Sequence, residues 1–125
     1  MTKYLLVGMG GLLGSVARYW IAGHVNNQLG MKFPYGTFVV NCSGSFLLGM
    51  IVTVLAARAH WSANWTYLLA FGFIGAYTTF STFAFETFQK VQAGEMLAAG
   101  LNVTLSVAMG FAFVWLGVMV GRLAG

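Results

Sequence analysis

The chain has 125 residues, 59% of them hydrophobic and only 6% charged, with a formal net charge of +4. A soluble domain carries about 25% charged residues, so one domain's length of chain at a mean hydropathy of +0.82 cannot cover itself for water. The six Lys and Arg are scattered without the basic stripe of a nucleic-acid-binding module, and the single cysteine, Cys42, excludes a disulfide framework or a paired metal site.

A membrane helix needs about 20 mostly apolar residues. The N-terminus, Lys3 followed by an apolar run, resembles a signal sequence, but it lacks a small-residue cleavage site and reads as a mature first helix. That helix is expected over about residues 4–23, with Asn26-Asn27-Gln28, Gly30 and Pro34 ending it. The second is expected over 36–57, closed by Arg58, His60 and Ser62. The third spans 65–90 with a break at 75–79, and the fourth spans 96–121. The reading is an all-α membrane protein: a single four-helix transmembrane domain over 1–125, its third helix broken near the middle.

With four spans, both termini and the loop between helices two and three share a side. Lys3, Arg58 and Arg122 fall there, against Lys32 and Lys90 opposite, with Arg18 one to two turns from that end of helix one. Orientation follows an excess of Lys and Arg on one side, and here there is almost none. The expectation is dual topology, two opposed copies pairing about a two-fold axis in the membrane plane. Gly10 and Gly14 on helix one, and Gly117 and Gly121 on helix four, have the small-xxx-small spacing that brings helix backbones together. The spacing serves packing between copies or within one.

Chemistry concentrates on helices two and three. Thr37, Asn41, Gly44 and Ser45 share a face of helix two. Asn41 is either interhelical glue or an N–H donor aimed at an anion. The run Gly75-Ala76-Tyr77-Thr78-Thr79-Phe80-Ser81-Thr82-Phe83 then interleaves glycine, hydroxyls and phenyl rings. In lipid, irregular backbone survives only where it is buried in protein or lines a wet cavity. Phe80 and Phe83 share a face, either as a packing stripe or as ring edges, whose positive rim can meet an anion. Ser81, Thr82 and Asn41 could supply donors that replace the water of a small anion. The break itself is either a capped kink or a place where the freed carbonyls of Gly75 and Thr78 coordinate a cation. If two copies meet there, four such carbonyls surround one monovalent ion.

Glu86 lies about two turns beyond the break and is either a proton-coupled carboxylate or a vestibule group. Arg18 either draws anions into a vestibule or snorkels to headgroups. Asn102 and Ser106 share a face of helix four, and Glu95 reads as an exposed loop charge. No nucleophile–base–orienter set is present for catalysis, so the chain reads as no enzyme.

Taken together these residues resemble the fluoride channel family (Fluc, also called CrcB) over the whole chain. The glycine-rich first helix leading to Arg18 is the weak motif. Gly36-Thr37 through Asn41 and Gly44, and Gly75 through Thr78-Thr79-Phe80-Ser81-Thr82-Phe83 to Glu86, are the specific ones. The resemblance implies an antiparallel dual-topology homodimer with two passive, fluoride-selective pores, located in the cell inner membrane and conferring fluoride resistance. Phe80 and Phe83 would be the pore phenylalanines and Asn41 the donor beside them. Ser81, Thr82, Ser106 and Glu86 would follow the polar side of the pathway, and Arg18 would match the helix-one arginine. The carbonyls of Gly75 and Thr78 would hold a structural, non-transported sodium ion at the dimer centre. Fluoride, the bilayer and a second copy are the implied partners, with no nucleic acid and no other protein. Ala76, where a second glycine is expected, and Gly110, four after Ser106 where a serine is common, depart from the pattern.

A small multidrug transporter is the competing reading, but it needs a buried acid on helix one, where this chain has Arg18 and none. A non-transporting assembly subunit would leave the Thr-Thr-Phe-Ser-Thr-Phe run unexplained.

Overall fold

The structure, a computed structural model, describes all 125 residues. Four helical segments are long and apolar enough to cross a membrane, and the chain is a multi-pass membrane protein. In chain order they are α1 (Thr2–Leu29), α2 (Tyr35–Ala57), a third span in two pieces, and α5 (Met96–Ala124). The pieces are α3, wound in π form over Thr66–Ile74 and in α form over Gly75–Tyr77, and α4 (Phe80–Gln92).

The first helix does not stop at the polar triplet. Asn26-Asn27-Gln28 stay helical, and α1 ends at Gly30, whose φ of +83° suits glycine. The triplet is kept because it has work across the turn: Asn26 Oδ1 accepts from the Gly36 N–H at 2.8 Å. That N–H lies in the first turn of α2, where no intrahelical acceptor exists. The extension places Arg18 about three turns from the end of α1, deeper than the shorter span implies.

The break is also tighter than the sequence suggests. Gly75–Tyr77 complete a helical turn because the backbone N–H and the hydroxyl of Thr78 both bond Ile74 O, each at 3.0 Å. Only Thr78 and Thr79 are extended, with ψ of 155° and 119°. Thr79 then caps α4, its hydroxyl oxygen accepting from the Thr82 N–H at 3.3 Å. At the far end of α4, Gly94 takes φ +75°, and the N–H groups of Gly94 and Glu95 bond Val91 O and Lys90 O. This reversed double bond ends the helix and turns the chain into α5.

The helices pack in two close pairs, α1 with α3 and α2 with α5, and α2 also touches every other helix. Glycine makes both pairs possible. A Cβ on Gly10 or Gly14 would overlap the carbonyl oxygens of Leu68 and Phe73 on α3. One on Gly117 would overlap Phe46 O, and one on Gly121 would lie 2.8 Å from Met50 O, both on α2. Of the two roles open to these glycines, packing within the chain is the one the structure shows. Large apolar side chains on α1 (Leu12, Leu13, Val16, Trp20) and α5 (Val107, Phe111, Trp115) point outward, onto the surface that lipid or further helices cover.

Candidate functional site

The break brings two recesses to one point. The first, a cavity of about 590 Å³, opens between α1, α2 and α4, and its polar lining includes Arg18, Thr37, Thr79, Thr82 and Glu86. The second, a groove of about 320 Å³ between α2, α4 and α5, is lined by Asn41, Ser45, Phe80, Phe83 and Ser106 together with Thr78 and Thr79. Thr79 belongs to both, so the extended pair separates a polar vestibule from an aromatic groove.

The break is held open by an amide. Asn41 Nδ2 donates to Thr79 O at 3.0 Å, and Asn41 Oδ1 accepts from Thr79 N–H at 2.8 Å. The side chain thus satisfies both backbone groups of one extended residue, replacing the helical partners that residue has lost. One N–H of the Asn41 amide remains beyond that clamp, on a residue that lines the groove. Arg18 is bound to the same region, its Nε donating to Ala76 O at 3.1 Å. The guanidinium is therefore tethered to the break from the vestibule side rather than extended towards headgroups, and Ala76 in place of glycine leaves that carbonyl available.

The carbonyls around the break divide in two. Ile74, Ala76 and Thr79 have hydrogen-bonded carbonyl oxygens. Gly75 and Thr78 have none, because the N–H groups four residues on are taken by the Asn41 and Thr79 side chains. Tyr77 O likewise has no donor, so three carbonyl oxygens are left with lone pairs unused, and Gly75 is exposed. That donor set suits a hard monovalent cation.

Phe80 and Phe83 sit with ring centroids 5.8 Å apart, tilted by 47°. Phe80 is 79% exposed, its own chain covering little beyond the side that meets Phe83. Ser81 is exposed beside it and lies in neither recess. Thr82 faces the vestibule and its Oγ1 accepts from the Thr79 hydroxyl at 3.0 Å. Glu86, one turn further from the break on the same face, has Oε1 accepting from Thr37 Oγ1 at 2.9 Å, while Oε2 is buried without a partner. On α5, Ser106 Oγ donates to Asn102 Oδ1 at 3.3 Å.

Thr79, Tyr77 and Thr87 escape a reading by motif. Tyr77 is buried, its hydroxyl 2.8 Å from Ser43 Oγ and its ring stacked on Phe73. Thr87 bonds the Phe83 carbonyl. For Thr79 a signal exists in the sequence: a threonine before a run of helical phenylalanines, with a second threonine three residues on, is an N-cap pattern.

A four-helix membrane protein with one broken span, its loose backbone clamped between a polar vestibule and an aromatic groove, has the features of a protein that handles a small ion. Comparison with known proteins narrows this. The family model "CrcB-like protein, Camphor Resistance (CrcB)" matches residues 5–118. A protein of Acidobacterium capsulatum named fluoride-specific ion channel FluC is 49% identical over 120 residues, 96% of each chain. FluC of Solibacter usitatus is 42% identical over 96% of this chain and 98% of its own. FluC of Coxiella burnetii is 44% identical over 94% and 96%. The chain belongs to the CrcB family. Its relatives are ion channels, not enzymes.

Proposed function

We propose that the chain is a passive fluoride-selective channel of the cell inner membrane, and that it confers fluoride resistance by letting cytoplasmic fluoride escape. The observation that carries this reading is the convergence of Asn41, Phe80, Phe83 and Ser106 in one groove at the break. Fluoride holds its water tightly, so a selective path must offset desolvation with donors and still be too narrow for chloride. The Asn41 amide and the hydroxyls of Thr82 and Ser106 supply donors, Ser81 joins them only where a second copy closes over its exposed hydroxyl, and the edges of Phe80 and Phe83 supply positive rim without a formal charge. Arg18 raises the local anion concentration in the vestibule that Glu86 and Thr82 share. FluC relatives at 42% and 49% identity support fluoride as the ion.

The working unit in this reading is an antiparallel homodimer. Phe80, Ser81 and Gly75 lie exposed on one chain, which a second copy would cover, and the balanced Lys and Arg give neither orientation an advantage. The free carbonyls of Gly75 and Thr78 fit a structural sodium ion at the centre, four oxygens coming from two copies. Such an ion would supply fixed positive charge that pins the two breaks together, and it would not be transported.

The test is efflux from liposomes loaded with potassium fluoride or potassium chloride, opened to potassium with an ionophore and followed by ion-selective electrodes. Rapid fluoride release with chloride retained is expected. Retention of both ions by monodisperse protein in sodium would overturn the reading. Phe80→Ile should slow fluoride release without loss of folded protein, and unaltered flux would remove the phenyl edges from the mechanism.

A further inference from the structure

The side chains lining the groove do not include the most deeply buried polar group of the chain. Asn102 on α5 is 1% exposed and ranks with Ile74 and Val40 among the large side chains fully out of reach of solvent. An amide buried so deeply is costly unless both its ends are bonded. Both are. Nδ2 donates to Thr87 Oγ1 on α4 at 2.8 Å, and Oδ1 accepts from Ser106 Oγ at 3.3 Å.

Thr87 gives these bonds a direction. Its hydroxyl donates its one hydrogen to the Phe83 carbonyl at 2.8 Å, so towards Asn102 it can only accept. The relay therefore runs from the Asn102 N–H to the Thr87 hydroxyl to the carbonyl of the aromatic residue that faces the groove. In the other direction Ser106, one turn beyond Asn102 and itself a groove residue, turns its hydrogen towards Asn102 and away from the groove. At 3.3 Å this is the longest bond of the relay, and an arriving anion can replace it at the least cost.

We infer that Asn102 is a positioning residue of the ion pathway, one that never touches the ion. It anchors the α4 turn carrying Phe83 to α5, and it offers the Ser106 hydroxyl an internal acceptor when no ion is present. The hydroxyl swings from Asn102 to the ion and back, and the 2.8 Å bond to Thr87 keeps Asn102 fixed while it does so. This rests on the groove being the fluoride pathway.

The test compares wild type, Asn102→Leu, Ser106→Ala and the double variant, each reconstituted at full length in the fluoride efflux assay. A silent wild type would count against the channel reading itself, not against Asn102. With wild type conducting, Asn102→Leu should slow efflux roughly tenfold, the scale of one buried hydrogen-bonded network. In the Ser106→Ala background the same substitution should slow it by a smaller factor, only that of Thr87→Val, because the anchor to Thr87 is then all that is left to lose. Equal losses in both backgrounds, or none, would overturn the proposal. Thr87→Val decides the matter where the leucine variants do not fold or the alanine background does not conduct. It keeps the side-chain shape while removing the acceptor that fixes Asn102, so efflux per folded protein should fall several-fold, and wild-type efflux would refute the role.

Discussion

The two halves of the third span, α3 and α4, are held in opposite ways. On α3, Ala70, Gly72, Ile74 and Tyr77 are buried, and α1 lies against it at backbone distance through Gly10 and Gly14. On α4 no residue is fully buried. That helix is fastened by side-chain hydrogen bonds instead: Thr37 to Glu86, Asn102 to Thr87, and the Asn41 clamp just ahead of its first turn. Close backbone packing, with polar bonds only at its last turn (Arg18 to Ala76 O and Ser43 to Tyr77), gives a scaffold that tolerates no added volume. Polar bonds on an exposed helix give a part whose position depends on a few named atoms, with surface left over for an ion or a second copy. The break between them is the joint between scaffold and proposed pathway.

The comparison breaks most readily at Gly14. A Cβ there overlaps Phe73 O, and backbone on both sides cannot yield as a flexible side chain could. Gly14→Leu should destabilise the protein by about 3 kcal/mol or more, the upper range of overpacking costs. Recovery of monodisperse protein from detergent extracts would fall accordingly. Normal recovery would mean α1 and α3 are not in backbone contact.

At the joint, Asn41→Leu removes both bonds to Thr79 and leaves that residue's N–H and C=O without partners. A cost of about 2 kcal/mol is expected, together with loss of fluoride efflux. Asn41→Asp keeps the acceptor for Thr79 N–H and loses the donor to Thr79 O, so it should fall between leucine and wild type in mixed-micelle unfolding. If leucine and wild type unfold alike, the amide is not what holds the break open.

These two sites also mark what a sequence can and cannot disclose. The four spans and the existence of a break were legible because hydropathy and a glycine-hydroxyl run are local signals. The end of α1 was not, because the Asn26 side chain is satisfied by Gly36, ten residues away across a turn. The break reads as five residues in the sequence and is two in the structure, because Thr78 bonds back to Ile74 with both its hydroxyl and its N–H. Asn41 could be placed on the right helix face, yet its partner is 38 residues distant, so its role as a clamp needed the fold. Arg18 could be noticed as a charge in a span, but its bond to Ala76 O depends on how α1 packs on α3.

Within α4 the effects should be smaller. Thr37→Val takes away the single hydrogen bond to Glu86 while conserving shape, leaving both carboxyl oxygens without a partner. About 1 kcal/mol of stability should be lost, and efflux should slow by a few-fold as the Glu86 side chain gains freedom in the vestibule. An unchanged unfolding midpoint would show that this bond adds nothing to the attachment of α4.

The smallest effect is expected where scaffold and pathway overlap without conflict, at Gly110 on α5. Unlike Gly117 and Gly121, which lie against α2 backbone, a Cβ at Gly110 meets only Ser45 Oγ, at 3.9 Å. Ser45 lines the groove and already donates its hydrogen to Asn41 O at 2.7 Å, so its oxygen is free to accept. Gly110→Ser therefore adds a hydroxyl with room and a partner waiting, and removes a glycine from a helix interior. Stability should rise by about 0.5 kcal/mol from helix propensity, and fluoride efflux should stay within about twofold of wild type, because Ser106 and Asn102 are untouched. A loss of stability would mean that α2 and α5 are as close at Ser45 as they are at Phe46. In that case the groove would be walled by scaffold rather than by side chains that can turn towards an ion.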